Sequence, residues 1–204
     1  MNTDKINLWL RKYINAHNQN RLKNRDFSII SSNCNGGVLL HDLGMRFNTP
    51  TINLWIEPDD FIRFLQNLPH YLDSALTFID VPDIDYPVAL LDDVKIYFQH
   101  YHTTEEASAK WQERASRINF DNLFIMFTDR DGCTYQNLVD FEALPYKNKV
   151  VFTHLPYPEF SSAHYIKGWE TDPCVGICFG FVKGISGKKY YDSFDYVSWF
   201  NQGY

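Results

Sequence analysis

Apolar residues along this chain switch between two spacings, and the switching lays out an order of elements. From Ile6 to about Leu22, the residues Ile6, Leu8, Trp9, Leu10, Tyr13 and Ile14 recur at helical intervals, which predicts an amphipathic leading helix within residues 1–25. Beyond it, short runs rich in β-branched and aromatic residues stand between helix-like stretches. The runs "FSIIS" at 27, "TINLWI" at 51, "ALTFI" at 75, "VKIYF" at 94, "NLFIMF" at 122 and "KVVFT" at 149 read as strands. Residues 37–46, 58–72, 104–118 and 135–143 read as helices. Pro58 followed by Asp59 and Asp60 suits a first turn, since proline has no amide hydrogen to lose there and carboxylates favour the positive helix end. Thr103 with Glu106 has the spacing of a capping box.

Strands alternating with helices predict an α/β fold, with three layers and a mostly parallel sheet covered by helices on both faces. After Pro156 the pattern gives way to turns and aromatics, and it closes on a short helix near "DYVSWFNQ". The expected organisation is a single domain over 1–204. It comprises the leading helix, an α/β core over 27–155, and an irregular cap or hairpin over 156–204. A chain of 204 residues is long enough to bury one full core.

Charge and composition narrow the partners. A formal charge of -6 offers no basic field for a phosphate backbone, so nucleic acid is set aside as a general partner. The aromatic share of 17% is high and suits both a packed core and a sugar-binding cleft. No apolar run approaches the roughly 18 residues of a membrane span, and the N-terminus has no long apolar stretch. The expected location is therefore the cytoplasm, with peripheral attachment at the inner membrane as the alternative. Cys34, Cys133, Cys174 and Cys178 form no C-x-x-C pair and are expected as reduced thiols. Cys174 and Cys178 lack the second close pair of ligands that a zinc site needs. "GISGKK" lacks the hydroxyl residue of a phosphate loop. No motif specifies a cofactor or a metal.

Candidate chemistry gathers where strands end, because ligands of open α/β sheets sit beyond the carboxyl ends of the strands. Asn33, Cys34, Asn35, Gly36 and Gly37 follow the first strand. A helix starting there would lower the Cys34 thiol pKa and favour a nucleophilic thiolate. His100 or His102 would serve as its base, with His154 and His41 as further choices, and the backbone of Asn35 to Gly37 would supply oxyanion donors. The plain alternative is a cysteine packed as a small hydrophobe. Trp111, Arg114 and Arg117 lie on one helical stripe, as a stacking ring and a phosphate clamp or as a core tryptophan beside solvated arginines. Asp129 and Asp131 in "FIMFTDRDG" follow an apolar strand, as ligands of a divalent metal or as an ordinary turn.

Five stretches resemble, in the same order, an uncharacterised bacterial family associated with exopolysaccharide or capsule biosynthesis. They are "IISSNCNGGVLLHDLGMRFNTPTINLWI", "DDFIRFLQNLPHYL", "VKIYFQHYHTTEEASAKWQERASRINFDNLFIMFTDRDG", "NKVVFTHLPYPEFSSAHYI" and "SFDYVSWFN". The likeness covers nearly all of the chain after about residue 25. The family's S-N-N-C-W-G-G falls on "SSNCNGG", so Ser32 stands for an asparagine and Asn35 for a tryptophan, while Cys34, Gly36 and Gly37 match. Its H-Y falls on His100 and Tyr101, and its W-x-x-R-x-x-R-I-N on Trp111, Arg114, Arg117, Ile118 and Asn119. The resemblance implies an α/β fold and a place in polysaccharide assembly, and brings no established catalytic residue. "SSNC" is also similar in position to the G-N-C-Q of capsule-biosynthesis acetyltransferases, an analogy that points to acyl transfer.

The resulting expectation is a transferase acting on a sugar or lipid-linked sugar precursor, with Cys34 as nucleophile. Its alternatives are a metal-dependent glycosyltransferase using Asp129 and Asp131, and a non-enzymatic accessory protein. The sequence leaves the cofactor, the reaction and the oligomeric state unspecified.

Overall fold

The computed structural model describes residues 3–202, so the first two residues of the predicted leading helix and the last two of the predicted cap lie outside the described residues. The chain is a mixed α/β protein. Its helices are α1 (Thr3–Arg21), α2 (Asn35–Asp42), α3 (Pro58–Gln66), α4 (Leu68–Asp73), α5 (Thr104–Ala115), α6 (Tyr135–Ala143) and α7 (Tyr196–Asn201). Its strands are β1 (Ser28–Ser31), β2 (Leu76–Ile79), β3 (Val88–Leu91), β4 (Val94–Tyr97), β5 (Leu123–Thr128), β6 (Lys149–Thr153) and β7 (Ala163–Tyr165). Four of them form a parallel sheet in the order β1-β5-β6-β7, and β2, β3 and β4 form an antiparallel meander.

The parallel sheet is organised around β5, which is buried at every position, as expected of a strand covered on both faces. Its side chains alternate between two cores. Ile125 and Phe127 join α3, α4, α5, α6 and the meander on one face, while Phe124 and Met126 join α2, α7 and the C-terminal segment on the other. Pro58 opens α3 as expected. The Thr103 hydroxyl accepts the Glu106 amide at 3.1 Å, although the Glu106 carboxylate reaches back to the His102 amide, one residue short of a closed box.

Three expectations change. "TINLWI" is no strand: Asn53 takes a positive φ of 61°, which breaks the extended run, and only Trp55 forms a bridge, to Tyr97. The runs at 75 and 94 are strands, but they pair antiparallel through a further strand, Val88–Leu91, that is not among the expected runs. The helix expected over 58–72 breaks at Asn67 (φ −141°, ψ 51°), and Pro69 lies in the first turn of the helix that follows.

The leading helix forms, but polar residues take the centre of its inner face, with Ile6, Leu10 and Ile14 half-buried beside them and the other apolar residues outside. Asn7, Arg11 and Asn18 are buried, while Leu8, Trp9 and Tyr13 are 57%, 55% and 60% exposed. A buried charge cluster explains why polar residues point inward. Asp42 at the end of α2 accepts from Arg11 Nη2 at 2.9 Å, Lys189 Nζ at 2.7 Å, Asn15 Nδ2 at 3.0 Å and the Tyr191 hydroxyl. Arg11 Nη1 also donates to Asp192 at 2.5 Å, and Asn18 to the Tyr196 hydroxyl at 2.7 Å. Buried polar groups are stable only when so paired, and this pairing fixes which face of α1 points inward.

Candidate functional site: a cleft at the carboxyl edge of the parallel sheet

Chain direction brings the ends of β1, β5 and β6 to one edge of the sheet. Leaving β1, the backbone turns through Ser32, Asn33 and Cys34 into α2. Asn33 holds the turn with both ends of its amide: Oδ1 accepts the Asn35 amide at 3.2 Å, and Nδ2 donates to the Thr128 hydroxyl at 2.8 Å, at the end of β5. Ser31 Oγ accepts the Gly36 amide at 3.3 Å. The backbone is so close here that a Cβ on Gly36 would stand 2.7 Å from Ser31 Cβ. Gly36→Ala is therefore expected to destabilise the protein by about 1–3 kcal/mol through overpacking, read as a lower urea midpoint at an unchanged slope.

Between this turn and the segment around residue 178 lies a cleft of about 460 Å³. One wall is aromatic. The Trp55 ring is stacked on Tyr97, with centroids 3.9 Å apart and an 8° interplanar angle, and its indole N–H points to the Tyr86 hydroxyl at 3.4 Å. The opposite wall carries Ile177, Cys178 and Phe179. The polar lining comes from Asn33, Cys34, Asn35, Gln99, His100, Arg130 and Asp131. Asn35 is 2% exposed, and its Oδ1 has no hydrogen-bond partner among the described residues.

Cys34 sits in this cleft with its Sγ 4.0 Å from the Leu54 carbonyl. Burial pushes its thiol pKa up, and a backbone hydrogen bond only partly offsets this, so the lowering expected from the α2 dipole does not prevail. Among the described residues no histidine is hydrogen-bonded to it. The amides of Asn35 and Gly36, expected as oxyanion donors, already donate to Asn33 and Ser31. Iodoacetamide is therefore expected to alkylate Cys34 more slowly than free cysteine at pH 7, with a rate still climbing above pH 9 in peptide mass spectrometry. A thiol titrating below about 8.5 would show activation instead.

The other candidates separate. His100 lines the cleft with its backbone amide on the Asn53 carbonyl, whereas His102 is exposed at the start of α5 and outside the cleft lining. Gly37 is buried against Ile52, and His41 is exposed at the far end of α2. Trp111 is 3% exposed and packs on Phe64 and Phe98 in the core. Arg114 donates to the Tyr101 hydroxyl at 2.6 Å and lies over the Phe47 ring, and Arg117 pairs with Glu113. That stripe fastens α5 to neighbouring loops and lies outside the cleft lining.

Asp129 and Asp131 part company as well. The Asp129 carboxylate is 5% exposed and fully engaged: Oδ2 accepts from His154 N at 2.7 Å and contacts His154 Nδ1 at 2.5 Å, while Oδ1 accepts from Val175 N at 2.7 Å. It ties the ends of β5 and β6 to the segment that forms the far wall. Asp131 and the half-exposed Arg130 face the cleft, with Arg130 Nε 4.0 Å from the Asp131 carboxylate. Among the described residues no group of three or more His, Cys, Asp or Glu side chains is placed to hold a metal.

Sequence reasoning missed Trp55, Tyr86, Gln99, Arg130, Ile177 and Phe179. The signal for Arg130 was its place between the two aspartates. Trp55 lay within a run read as a buried strand, and the rest sit on loops whose packing leaves no periodic trace. A second cavity of about 500 Å³, between α1 and α7, has most of its charges already paired, Arg21 with Asp195 and Asp192 with Arg11.

These features define an α/β protein whose parallel sheet opens at its carboxyl edge onto a cleft lined by aromatic, amide and charged side chains. The profile described as Domain of unknown function (DUF1919) matches residues 5–201, and the chain belongs to that family. It is also 52% identical over 196 residues to an uncharacterized protein of Haemophilus influenzae (strain ATCC 51907 / DSM 11121 / KW20 / Rd), covering 96% of this chain and 94% of that one. No helix among the described residues is long and apolar enough to cross a membrane.

Proposed function

We propose that the cleft binds the sugar phosphate portion of a free or lipid-linked precursor, and that the protein is a transferase of exopolysaccharide or capsular polysaccharide assembly. The observation that carries the reading is the lining itself: the Trp55 ring, backed by Tyr97, faces a cleft that also holds the exposed Gln99 amide and Arg130. An aromatic face suits the apolar face of a pyranose, planar amides suit its hydroxyls, and a guanidinium suits a phosphate. The resemblance of the five sequence stretches to a family associated with exopolysaccharide or capsule biosynthesis supports the biological setting. Within this reading His100 takes the proton from an acceptor hydroxyl, since it is the histidine lining the cleft. Cys34 is a wall of the pocket, consistent with its raised pKa.

UDP-glucose, UDP-N-acetylglucosamine and glucose 1-phosphate, titrated by calorimetry, test the proposal. Saturable binding is expected for at least one of them, weakened about tenfold by Trp55→Ala. Arg130→Ala is expected to weaken the phosphate-bearing probes and leave any binding of free glucose unchanged. Absence of binding by all three would count against the proposal. A second reading, an accessory protein that binds the precursor without transforming it, is favoured by the thiol with no histidine partner. It predicts the same binding with no turnover.

A further inference from the structure

Nine large hydrophobic side chains are exposed among the described residues, and four of them, Leu8, Trp9, Tyr13 and Ile185, fall on α1 and on the hairpin beside it. The hairpin spans residues 181–189 and is closed by the Phe181–Lys189 bridge. It is pinned to α1 at Asn7, whose Nδ2 donates to the Gly184 carbonyl at 2.9 Å and whose Oδ1 accepts the Ser186 and Gly187 amides at 3.0 and 2.9 Å. Gly187 is required at that contact: its φ is +67°, and a Cβ there would stand 2.6 Å from Leu10 Cβ. Ile185, 60% exposed, occupies the hairpin tip.

The charged cluster on the inner face of α1 leaves Leu8, Trp9 and Tyr13 no way to turn inward, so their exposure is built into the fold. Trp9 and Tyr13 pack edge to face, with centroids 4.7 Å apart. At helical spacing Lys5 and Lys12 share the outer face with Trp9, and Lys183 and Lys188 are exposed on the hairpin. The single carboxylate of α1 is Asp4. A patch with these lysines on a chain of net charge -6 concentrates the attraction for an anionic surface in one place. Tryptophan and tyrosine rings flanked by lysines on one helix face have the composition of helices that lie in a bilayer interface. A convex helix face also suits a flat surface.

We propose that the outer face of α1 and the tip of the 181–189 hairpin dock the protein on an anionic lipid bilayer. The surface is separate from the cleft, yet the segment that bears Ile185 also bears Ile177 and Phe179 of the cleft wall. Docking there would bring that segment to the membrane, where a lipid-linked substrate would reside. The inference goes beyond the sugar phosphate reading and stands or falls separately from it.

Vesicle flotation of the full chain tests it, with phosphatidylcholine vesicles compared with vesicles containing phosphatidylglycerol. Binding is expected only with the anionic lipid, and it is expected to fall steeply as salt is raised. The pairs Lys5→Glu/Lys12→Glu and Trp9→Ala/Tyr13→Ala should each reduce the partition coefficient about tenfold. Because these side chains are exposed, thermal midpoints and the cleft titrations should stay unchanged, which separates loss of docking from loss of ligand binding. Failure of the wild-type chain to bind anionic vesicles would overturn the proposal, as would binding that both substituted pairs leave intact. Capture of an acidic protein without vesicle binding would overturn it too.

Discussion

Alanine in place of Asp42 is expected to lower the unfolding free energy by about 3–5 kcal/mol, the range for removing one partner of a buried ion pair. The size follows from what the side chain holds. Arg11, Lys189, Tyr191 and Asn15 all donate to a carboxylate that is about 6% exposed, and its loss leaves the buried Arg11 and the half-buried Lys189 without that partner. The same cluster sets an acid limit. Burial alone would raise the Asp42 pKa, but hydrogen bonds from Lys189 and Tyr191 and the charges of Lys189 and Arg11 outweigh it, and the net direction is down. A carboxylate with a depressed folded pKa contributes stability that is fully present above its unfolded value of about 3.9 and is lost as pH falls through the folded value. Urea unfolding of the wild-type chain should therefore show stability dropping below about pH 4, and Asp42→Asn should flatten that drop. An unchanged midpoint for Asp42→Ala would contradict the cluster's role.

Asp129→Ala is expected to be nearly as damaging, by about 2–4 kcal/mol, because the buried amides of His154 and Val175 lose a charged acceptor. It should also weaken binding in the cleft, since Asp129 anchors the segment that carries Ile177 and Phe179. Asp129→Asn, which keeps one carbonyl oxygen in place, should recover part of both losses. The metal-ligand reading of the Asp-x-Asp predicts a different result, in which the asparagine variant loses manganese-dependent nucleotide-sugar binding while stability is unaffected.

The contrast between β5 and the 51–56 segment shows how much was legible in the sequence. The run at 122–127 read as a strand from its short, unbroken apolar stretch, and it forms β5, buried at every position. "TINLWI" carried the same composition, but one positive φ at Asn53 turned it into a loop that places Trp55 in the cleft. Composition reports burial, and Leu54 and Ile56 are indeed buried, yet it does not report the backbone torsion that decides pairing. α1 failed in the opposite sense. Its helical spacing was readable, but its inward face was set by Asp42, Lys189, Tyr191 and Asp192, partners more than 20 residues away that no local pattern could supply. Asn33, Cys34 and Asn35 follow a parallel strand, as the strand-end argument requires, whereas His100 follows the antiparallel β4 and reaches the cleft by a route that argument does not cover. The aromatic wall and Arg130's place in the cleft required the fold.

Titration of the wild-type chain and Trp55→Ala with UDP-glucose, UDP-N-acetylglucosamine and glucose 1-phosphate, followed by calorimetry, is the most direct test of the cleft. The account predicts saturable binding of a phosphate-bearing sugar by the wild-type chain, about tenfold weaker in the folded variant. No binding by the wild-type chain, or equal binding by a variant that lacks the indole, would contradict it.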